Sequence, residues 1–491
     1  MKKQSFKTKT KHPEWALKYK KKGTELRLIN GIYYLYEVTS KWNPQKKRSQ
    51  KITKKFLGKI TPEGFIESEK KMLKEGYEKF IKEPLQVKEY GASFFILNYF
   101  GEYISILKNH FADIWQDIIS LAFVRLLYQA PIKNIGFYFE VSHLSEVYPE
   151  ITLGEKRVGA LYRKIGTYRD KVVSFMKEFV ETKDNILIDA THLISHSKCL
   201  DIARYGYNSQ QQYDPQVNLM FLFSSQFQFP IFYRIMPGNI REVKAFKLTI
   251  QEAGVKDITI IADKGFYSKN NIEELDNEEL SYLIPLKRDN SLIDYTPLAM
   301  SAKSGFEGYF KYQERFIWYY TIKQENKKVI VFYDDGLRSK EEYDYLSRIE
   351  NKVENYTIEV FKEKQISFGT LSIYTNNFEK STQQIYELYK TLGNIETMTD
   401  NFKNTLDADK SYMQNEEALQ GWMFINFVAL QWYYKIYLLL KQKNLLNRYS
   451  PKDLLMHLSS IKCIKINQKW NIAEYTKKTQ TLLDKINLPI K

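Results

Sequence analysis

The chain has 491 residues, of which 43% are hydrophobic and 27% are charged, and its formal net charge is +16. This length favours two to four domains, and the composition is that of a soluble globular protein. The surplus of positive charge makes an acidic polymer, nucleic acid first, the expected partner. The amino terminus MKKQSFKTKTKHPEW lacks the apolar run of a signal peptide. We therefore expect a cytoplasmic protein that works on DNA.

Two further features exclude other classes of protein. The two cysteines, Cys199 and Cys463, cannot build a disulfide framework or a zinc-ligand pattern. The longest apolar stretch, Ala418 to Leu440, is interrupted by the polar residues Gln420, Asn426, Gln431 and Lys435. It is therefore interpreted as a buried core helix rather than a membrane span.

Most of the charge lies in the first 60 residues, which hold 18 Lys or Arg against 3 Glu, a net charge of +15. Within them, GIYYLYEVTS and FLGKITPEG are typical of strands, and the basic turn QKKRSQKITKK lies between them. The turn could be a solvated hairpin tip, but the concentration of charge favours a phosphate-contacting surface. We therefore predict a basic β region at 1–67 in which Lys46, Lys47 and Arg48 contact DNA.

Residues 68–182 have the pattern of a helical region. SEKKMLKEGYEKFIKE is rich in helix formers, and ADIWQDIISLAFVRLLYQA has apolar residues at helical spacing. The following segment, EKRVGALYRKIGTYRDKVVSFMKEFVE, interleaves basic and apolar residues. It could be a DNA-facing helix pair or an ordinary amphipathic bundle. We predict that this region contributes to DNA binding or dimerisation.

The pattern changes at residue 185, where strands begin to alternate with helices. NILIDATHLI, VNLMFLFSS and FPIFYRIMPG are predicted strands, and EVKAFKLTIQEAGV is a predicted helix. DITIIADKGF, NNIEELDNEE and LSYLIPLK continue the order as strand, short helix and strand. FEGYFKYQ, RFIWYYTIK and KKVIVFYDD are further strands, and SIYTNNFEKS begins a long helical region. The predicted regions are a first catalytic part (183–288), a β insertion (289–376), a second catalytic part (377–445) and a C-terminal helical region (446–491).

Two acidic residues stand in or at the ends of apolar strands, Asp189 in ILIDAT and Asp263 in IIADKG. Taken alone, ADKG is a good turn sequence, so a turn-forming role is the simpler interpretation. In an RNase H-like sheet, however, the two strands would be neighbours, and the carboxylates would lie close together. Like charges held close need a metal or a shared proton. Oxygen ligands of this kind suit Mg²⁺ or Mn²⁺.

A third carboxylate is expected on the later helix. Tyr389, Leu392, Glu396 and Lys403 lie at offsets 0, 3, 7 and 14. At about 100° per residue they fall within about 60° of one another on a helix. A lone Glu on a helix is usually a surface residue, so this spacing alone does not make Glu396 a ligand.

These segments together resemble the DDE transposases of bacterial insertion sequences. The resemblance rests on NILIDATHL, on IIADKGFYS, and on the spacing Y-x2-L-x3-E-x6-K, with GYNSQQQYDPQVNLMFLF and PIFYRIMPGNIRE as supporting segments. It is closest to the insertion-sequence-four family with its Tyr-Arg-Glu-Lys signature. It extends over roughly 26–440 and is clearest in 185–285 and 385–435.

The resemblance implies an α/β fold, in which an RNase H-like catalytic domain is interrupted by a β-strand insertion. It matches Asp189, Asp263 and Glu396 to the catalytic, metal-binding triad, and Tyr389 and Lys403 to residues that hold DNA near the cut. Leu392 stands where the family has Arg, which puts one DNA backbone contact in doubt.

The implied activity is metal-dependent cleavage at terminal inverted repeats followed by strand transfer into target DNA. Two Mg²⁺ ions, with Mn²⁺ as a substitute, and a homodimer on double-stranded DNA are implied with it. His192 and His196 lie near the first Asp, and a structural role is favoured for both. Trp318 is a candidate to hold a flipped base, but a core position is favoured. The alternatives are a domesticated nuclease of the same fold and a non-catalytic DNA-binding protein.

Overall fold

The computed structural model describes residues 12–68, 85–181, 184–207, 213–238, 242–255, 258–466 and 468–490. The helix predicted in SEKKMLKEGYEKFIKE lies almost entirely outside the described residues, as do parts of GYNSQQQYDP and PGNIRE. The chain divides into two compact units, Met1–Gln86 and Val87–Lys491. All the regions predicted after residue 87 lie together in the second unit.

Unit 1 is an antiparallel sheet with a small core of its own. Alternating apolar residues such as Tyr33 and Leu35 point into this core, where they pack with Ala16, Leu26 and Ile60. The predicted hairpin is present, and its strands run in the order β1-β2-β3-β4. The elements are α1 (Glu14–Leu17), β1 (Thr24–Ile29), β2 (Ile32–Asn43), β3 (Arg48–Thr61) and β4 (Gly64–Glu67).

Unit 2 begins with a short strand and a group of helices in the region predicted to be helical. Their apolar stripes face a common core, and the helix Trp115–Tyr128 is buried over nearly all of its middle. The elements are β5 (Gln86–Glu89), α2 (Gly91–Tyr99), α3 (Gly101–His110), α4 (Trp115–Tyr128), α5 (Ile132–Glu140), α6 (Leu144–Val147), α7 (Glu155–Thr167) and α8 (Arg169–Lys177).

A mixed sheet of eleven strands forms the centre of the described part of unit 2. Its middle strands are parallel, and its two sides are antiparallel. The strand order is β12 (Gly308–Tyr312), β13 (Arg315–Gln324), β14 (Lys327–Asp334), β15 (Thr370–Thr375), β11 (Ser281–Pro285), β10 (Thr259–Ile261), β6 (Asn185–Ser195), β8 (Tyr213–Ser224) and β7 (Arg204–Tyr207), with β9 (Phe229–Pro237) paired to β8 and β16 (Lys410–Ser411) paired to β6. The first elements are β6 (Asn185–Ser195), β7 (Arg204–Tyr207), β8 (Tyr213–Ser224), β9 (Phe229–Pro237), α9 (Glu242–Ala253), β10 (Thr259–Ile261), α10 (Lys269–Asn277) and β11 (Ser281–Pro285).

The region predicted as a β insertion does contain the three expected strands, but it differs from the prediction in two ways. It also contains helices, and β14 pairs with β15, which pairs with β11, so the strands extend the central sheet. SIYT was placed at the start of a helical region, which is wrong, since it lies in β15. The elements are α11 (Thr296–Ala299), β12 (Gly308–Tyr312), β13 (Arg315–Gln324), β14 (Lys327–Asp334), α12 (Asp335–Glu350), α13 (Ile358–Lys364) and β15 (Thr370–Thr375).

The remaining elements include one long central helix. They are α14 (Thr382–Lys390), α15 (Gly393–Asp400), a π-helical turn at Asn401–Thr405, β16 (Lys410–Ser411), α16 (Glu416–Gln442), α17 (Pro451–Ser459), β17 (Lys462–Ile466), β18 (Lys469–Ile472) and α18 (Lys477–Lys485). The C-terminal region 446–491, predicted to be helical, contains α17 and α18 but also the unpredicted strands β17 and β18, which form a small sheet with β5. That pairing is non-local, so helical propensity in the segment alone could not reveal it.

Helix α16 passes through the middle of unit 2. By length and composition it could cross a membrane, yet 83% of its most apolar window is buried inside the protein, as predicted for a core helix. It packs closely on α7, because each helix has a glycine at the crossing. A Cβ on Gly421 would overlap the carbonyl oxygen of Tyr162, and one on Gly166 would overlap that of Glu417. The close crossing fixes α16 against α7.

Candidate active site

The sheet places the two predicted aspartates side by side. Asp189 lies within β6, and Asp263 follows β10 by two residues. The two strands are parallel neighbours, with Ile260 opposite Ile186 and Ile261 opposite Leu187. Continued by two residues, this register brings Asp263 level with Asp189. Neighbouring strands lie about 4.8 Å apart, so both residues belong to one small area beside the carboxyl-terminal end of β10, in the interior of the sheet's strand order.

Glu396 reaches the same area from the first turn of α15. The link between this helix and β6 is a hydrogen bond in which Thr399 Oγ1 donates to Asp189 Oδ2 at 2.8 Å. Thr399 is buried and follows Glu396 by three residues, so both side chains lie on one face of the helix. Sequence reasoning missed Thr399, although its spacing from Glu396 was a usable signal.

The pKa of Asp189 is influenced by its burial and by the neighbouring side chains. Burial is the largest influence and raises the pKa of the Asp189 carboxyl, and the charges of Glu396 and Asp263 raise it further. The hydrogen bond from Thr399 and the charge of Lys403 act in the opposite direction. Two further carboxylates are therefore close enough to Asp189 to disfavour its charge, and a cation placed among the three would relieve that cost.

Tyr389 and Lys403 also lie beside these carboxylates. Burial raises the pKa of Tyr389 to about 12, and the charges of Asp263 and Glu396 contribute to the rise. Burial lowers the pKa of Lys403, and the charge of Asp189 partly opposes it. The five side chains predicted from the signature and the two strands thus influence one another electrostatically.

The segment that carries Tyr389, Glu396 and Lys403 is not the single regular helix that the spacing assumed. Helix α14 ends at Lys390, α15 starts at Gly393, and Lys403 lies in the π-helical turn that follows. A π turn changes the angular advance per residue, and such turns are frequent at functional sites. Leu392, at the Arg position of the signature, is buried in the hydrophobic core rather than directed to solvent.

Three other residues considered in the sequence analysis, His192, His196 and Trp318, lie in different surroundings. His192 is partly buried, and burial together with the charge of Lys403 lowers its pKa, which favours the neutral form of the imidazole. His196 stacks on Tyr412 with ring centroids 4.9 Å apart. Trp318 is only partly buried and packs against the exposed Tyr309, so the predicted core position is wrong.

The basic residues predicted to contact DNA are in unit 1. Lys46 and Lys47 belong to the turn between β2 and β3, and Arg48 begins β3. All three side chains are exposed to solvent. Their position at the end of a hairpin agrees with the predicted location, and their role stays a prediction.

The carboxylates do not close around a common metal position. Across the described ranges of the chain, no three His, Cys, Asp or Glu side chains are grouped so that they could hold a metal ion. Asp189, Asp263 and Glu396 share a neighbourhood, but any role as metal ligands would require them to draw together.

The family model described as "Transposase DDE domain" matches residues 181–432. The match covers more than half of the chain and includes Asp189, Asp263 and Glu396, so the chain belongs to the DDE-domain transposase family. Among solved structures, the chain is similar to the piggyBac transposase synaptic complex with hairpin DNA. That similarity has 11% sequence identity and a TM-score of 0.39, and it covers 74% of this chain and 70% of the other. No curated protein matches the chain.

Proposed function

We propose that this protein is a DNA transposase that binds the terminal inverted repeats of an insertion sequence. In this proposal it cuts the element ends and joins them to target DNA in a cut-and-paste reaction. The observation that supports it is the convergence of Asp189, Asp263 and Glu396 on one end of the parallel strands, within the segment that matches the family. An RNase H-like arrangement of the catalytic domain is part of the proposal.

The donor set fits a hard divalent cation. All three candidate ligands offer carboxylate oxygens, which Mg²⁺ and Mn²⁺ prefer, and the described site has no thiolate among them. The pKa of Asp189 is raised by burial and by the nearby Glu396 and Asp263, so a cation would favour the ionised form of a carboxyl that is otherwise costly to charge. Bound there, two metal ions would supply an activated water and charge stabilisation for the departing oxygen.

In this proposal, each residue of the candidate active site has a distinct role. Asp189, Asp263 and Glu396 would hold the metal ions, and Thr399 would fix one oxygen of Asp189 so that the other stays available. Lys403 would bring a positive charge toward the DNA backbone beside the cut. Tyr389, whose pKa is about 12, would stay protonated and could donate a hydrogen bond to a phosphate oxygen.

The finer parts of the proposal come from the family resemblance. They are membership of the insertion-sequence-four family, a bacterial origin, a nucleoid-associated cytoplasmic location and a homodimer that pairs two DNA ends. A nuclease of the same fold that no longer joins DNA is the second candidate, since cleavage and joining share one site. A strand-transfer assay separates the two candidates.

The decisive experiment is a Mg²⁺-dependent cleavage assay on duplex DNA that carries the element's own ends. Glu396→Gln and Asp189→Asn should still bind DNA and lose cleavage by on the order of 10² to 10³-fold or more. Glu387→Gln, on the exposed surface of α14, is the matched control and should cut at the normal rate. If Glu396→Gln cuts as fast as this control, Glu396 is not the third ligand.

A further inference from the structure

The hairpin of unit 1 extends beyond the sheet that supports it. Strand β1 pairs with β2 only as far as Glu37, and β4 pairs with β3 only from Gly58 onward. Past these points, and among the residues that the structure describes, β2 and β3 pair only with each other, from Thr39 opposite Ile52 to Asn43 opposite Arg48. We call Thr39–Ile52 the ribbon. Its five cross-strand pairs make it about 17 Å long, at roughly 3.4 Å per residue.

The two faces of the ribbon differ in chemistry. Side chains alternate between faces, so Thr39, Lys41, Asn43, Arg48, Gln50 and Ile52 share one face, which we call the amide face. On the opposite face are Ser40, Trp42, Ser49 and Lys51. Most of the ribbon is exposed on both faces, and the indole of Trp42 is 62% exposed. Neither face is therefore covered by the core of unit 1.

The tip of the ribbon is held in shape by hydrogen bonds. Asn43 Oδ1 accepts from the backbone N–H groups of Gln45 and Lys46 at 3.1 and 3.2 Å. Asn43 Nδ2 donates to Gln50 Oε1 at 3.0 Å across the two strands. An isolated two-stranded hairpin is marginally stable in water, so these bonds help to keep an extended arm ordered before it meets a partner.

The charge of this segment has one sign. From Val38 to Pro62 the sequence contains no Asp or Glu, and it contains the eight basic residues Lys41, Lys46, Lys47, Arg48, Lys51, Lys54, Lys55 and Lys59. At the base of the ribbon, Lys51 pairs with Glu25 of β1 at 3.2 Å. Like charges on a narrow ribbon repel one another, and a polyanion would remove that repulsion.

We propose that the ribbon enters the major groove of double-stranded DNA with its amide face toward the base edges. The major groove is about 12 Å wide and admits a two-stranded β ribbon. Gln50 carries the amide that pairs with adenine, and Arg48 and Lys41 carry the cations that pair with guanine. Lys46, Lys47 and the lysines nearer the sheet contact the phosphates on either side. This inference rests on the proposed function in taking DNA as the partner.

Entry of the ribbon into the major groove is tested by methylation protection with the full-length protein. A 30-base-pair duplex is selected by the protein from a randomised pool, and dimethyl sulfate then methylates guanine N7 in the major groove and adenine N3 in the minor groove. We expect at least two guanines to be protected by the wild type and to lose protection when Lys41→Ala, Arg48→Ala and Gln50→Ala are combined. Protection confined to adenine N3, or guanine protection that the triple variant keeps, overturns the proposal.

Single substitutions separate base reading from phosphate contact. Gln50→Ala should weaken binding to the selected duplex about 5 to 100-fold while leaving binding to unrelated duplexes unchanged. Ser49→Ala, on the opposite face, is its control and should change neither. Lys46→Ala with Lys47→Ala should weaken binding to every duplex and reduce the slope of log K against log salt by about 2. Lys20→Ala, outside the ribbon, should leave the selected sequence unchanged.

Competition experiments test whether other polyanions bind as well as duplex DNA. Parallel cleavage assays test the ribbon proposal separately from the catalytic one. Duplex RNA has a deep, narrow major groove, so it should compete much less well than duplex DNA at equal salt. Equal competition by duplex RNA or by anionic phospholipid vesicles would show a merely electrostatic surface and overturn groove entry. Cleavage by the same variants is measured in parallel. If the wild type protects no guanine N7 while cleavage still requires Glu396, only the ribbon proposal is refuted. If the guanines are protected as expected while cleavage does not require Glu396, only the catalytic assignment is refuted.

Discussion

Unit 1 and unit 2 differ in the charge that they carry and in the size of their buried cores. The first 60 residues carry a net charge of +15, while the buried core has five members in the described part of unit 1. Unit 2 has a large continuous core, and the partly buried Asp189 beside it lies near the exposed Asp263 and Glu396. The difference suggests that unit 1 uses a small support to present cations, whereas unit 2 uses a large core to position carboxylates beside solvent.

The largest expected effect comes from the close crossing of α7 and α16, which supports the core of unit 2. Gly421→Ala would force a Cβ into the backbone of Tyr162, and we expect a loss of about 3 kcal/mol or more in the free energy of unfolding. Gly101→Ala is the control, because the space beside Gly101 is open. Urea unfolding followed by circular dichroism measures both variants.

Hydrogen exchange shows where the loss occurs. Peptides from α16 should exchange faster in Gly421→Ala, while peptides from β2 should keep their rates. If β2 peptides accelerate equally, the stabilities of the two units are coupled and the contrast between them fails. A Gly421→Ala protein as stable as Gly101→Ala would show that the crossing is looser than described.

A buried carboxyl in unit 2 gives the second prediction. Burial raises the pKa of Glu89 to about 7, against hydrogen bonds from Ser93 and from the backbone of Ala92. In the folded state, the Glu89 carboxyl therefore stays protonated up to a higher pH than it does in the unfolded chain. The contribution of Glu89 to the free energy of unfolding is therefore fully present below pH 4.5. About 3 kcal/mol of it is lost as the pH rises to about 7.

Glu89→Gln tests this assignment, since the amide cannot ionise. The variant should lose that fall in stability between pH 4.5 and pH 7, measured by urea unfolding at several pH values. Glu102→Gln, at an exposed position in α3, should retain it. A parallel pH dependence in Glu89→Gln and wild type would assign the titration to another group.

The third prediction concerns the hydrogen bond between the helix of Glu396 and the strand of Asp189. Thr399→Val keeps the side-chain shape and removes the hydroxyl, and we expect cleavage to fall about 10 to 100-fold with a higher Mn²⁺ concentration at half-maximal rate. Thr399→Ser restores a hydroxyl and should recover most of the rate. Mn²⁺ affinity measured by calorimetry provides a readout independent of cleavage. Equal Mn²⁺ affinity in the Val and Ser variants would restrict Thr399 to a packing role.

The sequence predicted the parts of this molecule that depend on local patterns. Apolar, β-branched runs predicted β6 and β10, and the assumption of an RNase H-like sheet predicted that the strands of Asp189 and Asp263 would be neighbours, as they are. The pairing of β17 with β5 and the extension of the central sheet through β15 are non-local, so no single segment revealed them. The three-residue spacing of Thr399 from Glu396 could have placed both on one helix face, but only the fold shows that Thr399 donates a hydrogen bond to Asp189.

The smallest expected effect concerns a surface carboxylate in unit 1, Glu25, which contrasts with the buried Glu89. A hydrogen bond from Arg27 is the main reason that the pKa of Glu25 is lowered, and Lys51 contributes. Any stability it adds is present above its unfolded pKa and is lost as the pH falls below it. Because these side chains are partly exposed, Glu25→Gln should change the free energy of unfolding by less than about 1 kcal/mol.

The same substitution should strengthen DNA binding slightly. Glu25 neutralises Lys51 at the base of the ribbon, so its removal frees one cation to contact phosphate. We expect the salt slope of binding to steepen by up to about 1, with the selected sequence unchanged. Glu14→Gln, an exposed carboxylate in α1 of the same unit, is the control for a general change in charge. If both variants steepen the slope equally, the gain reflects net charge rather than the release of Lys51.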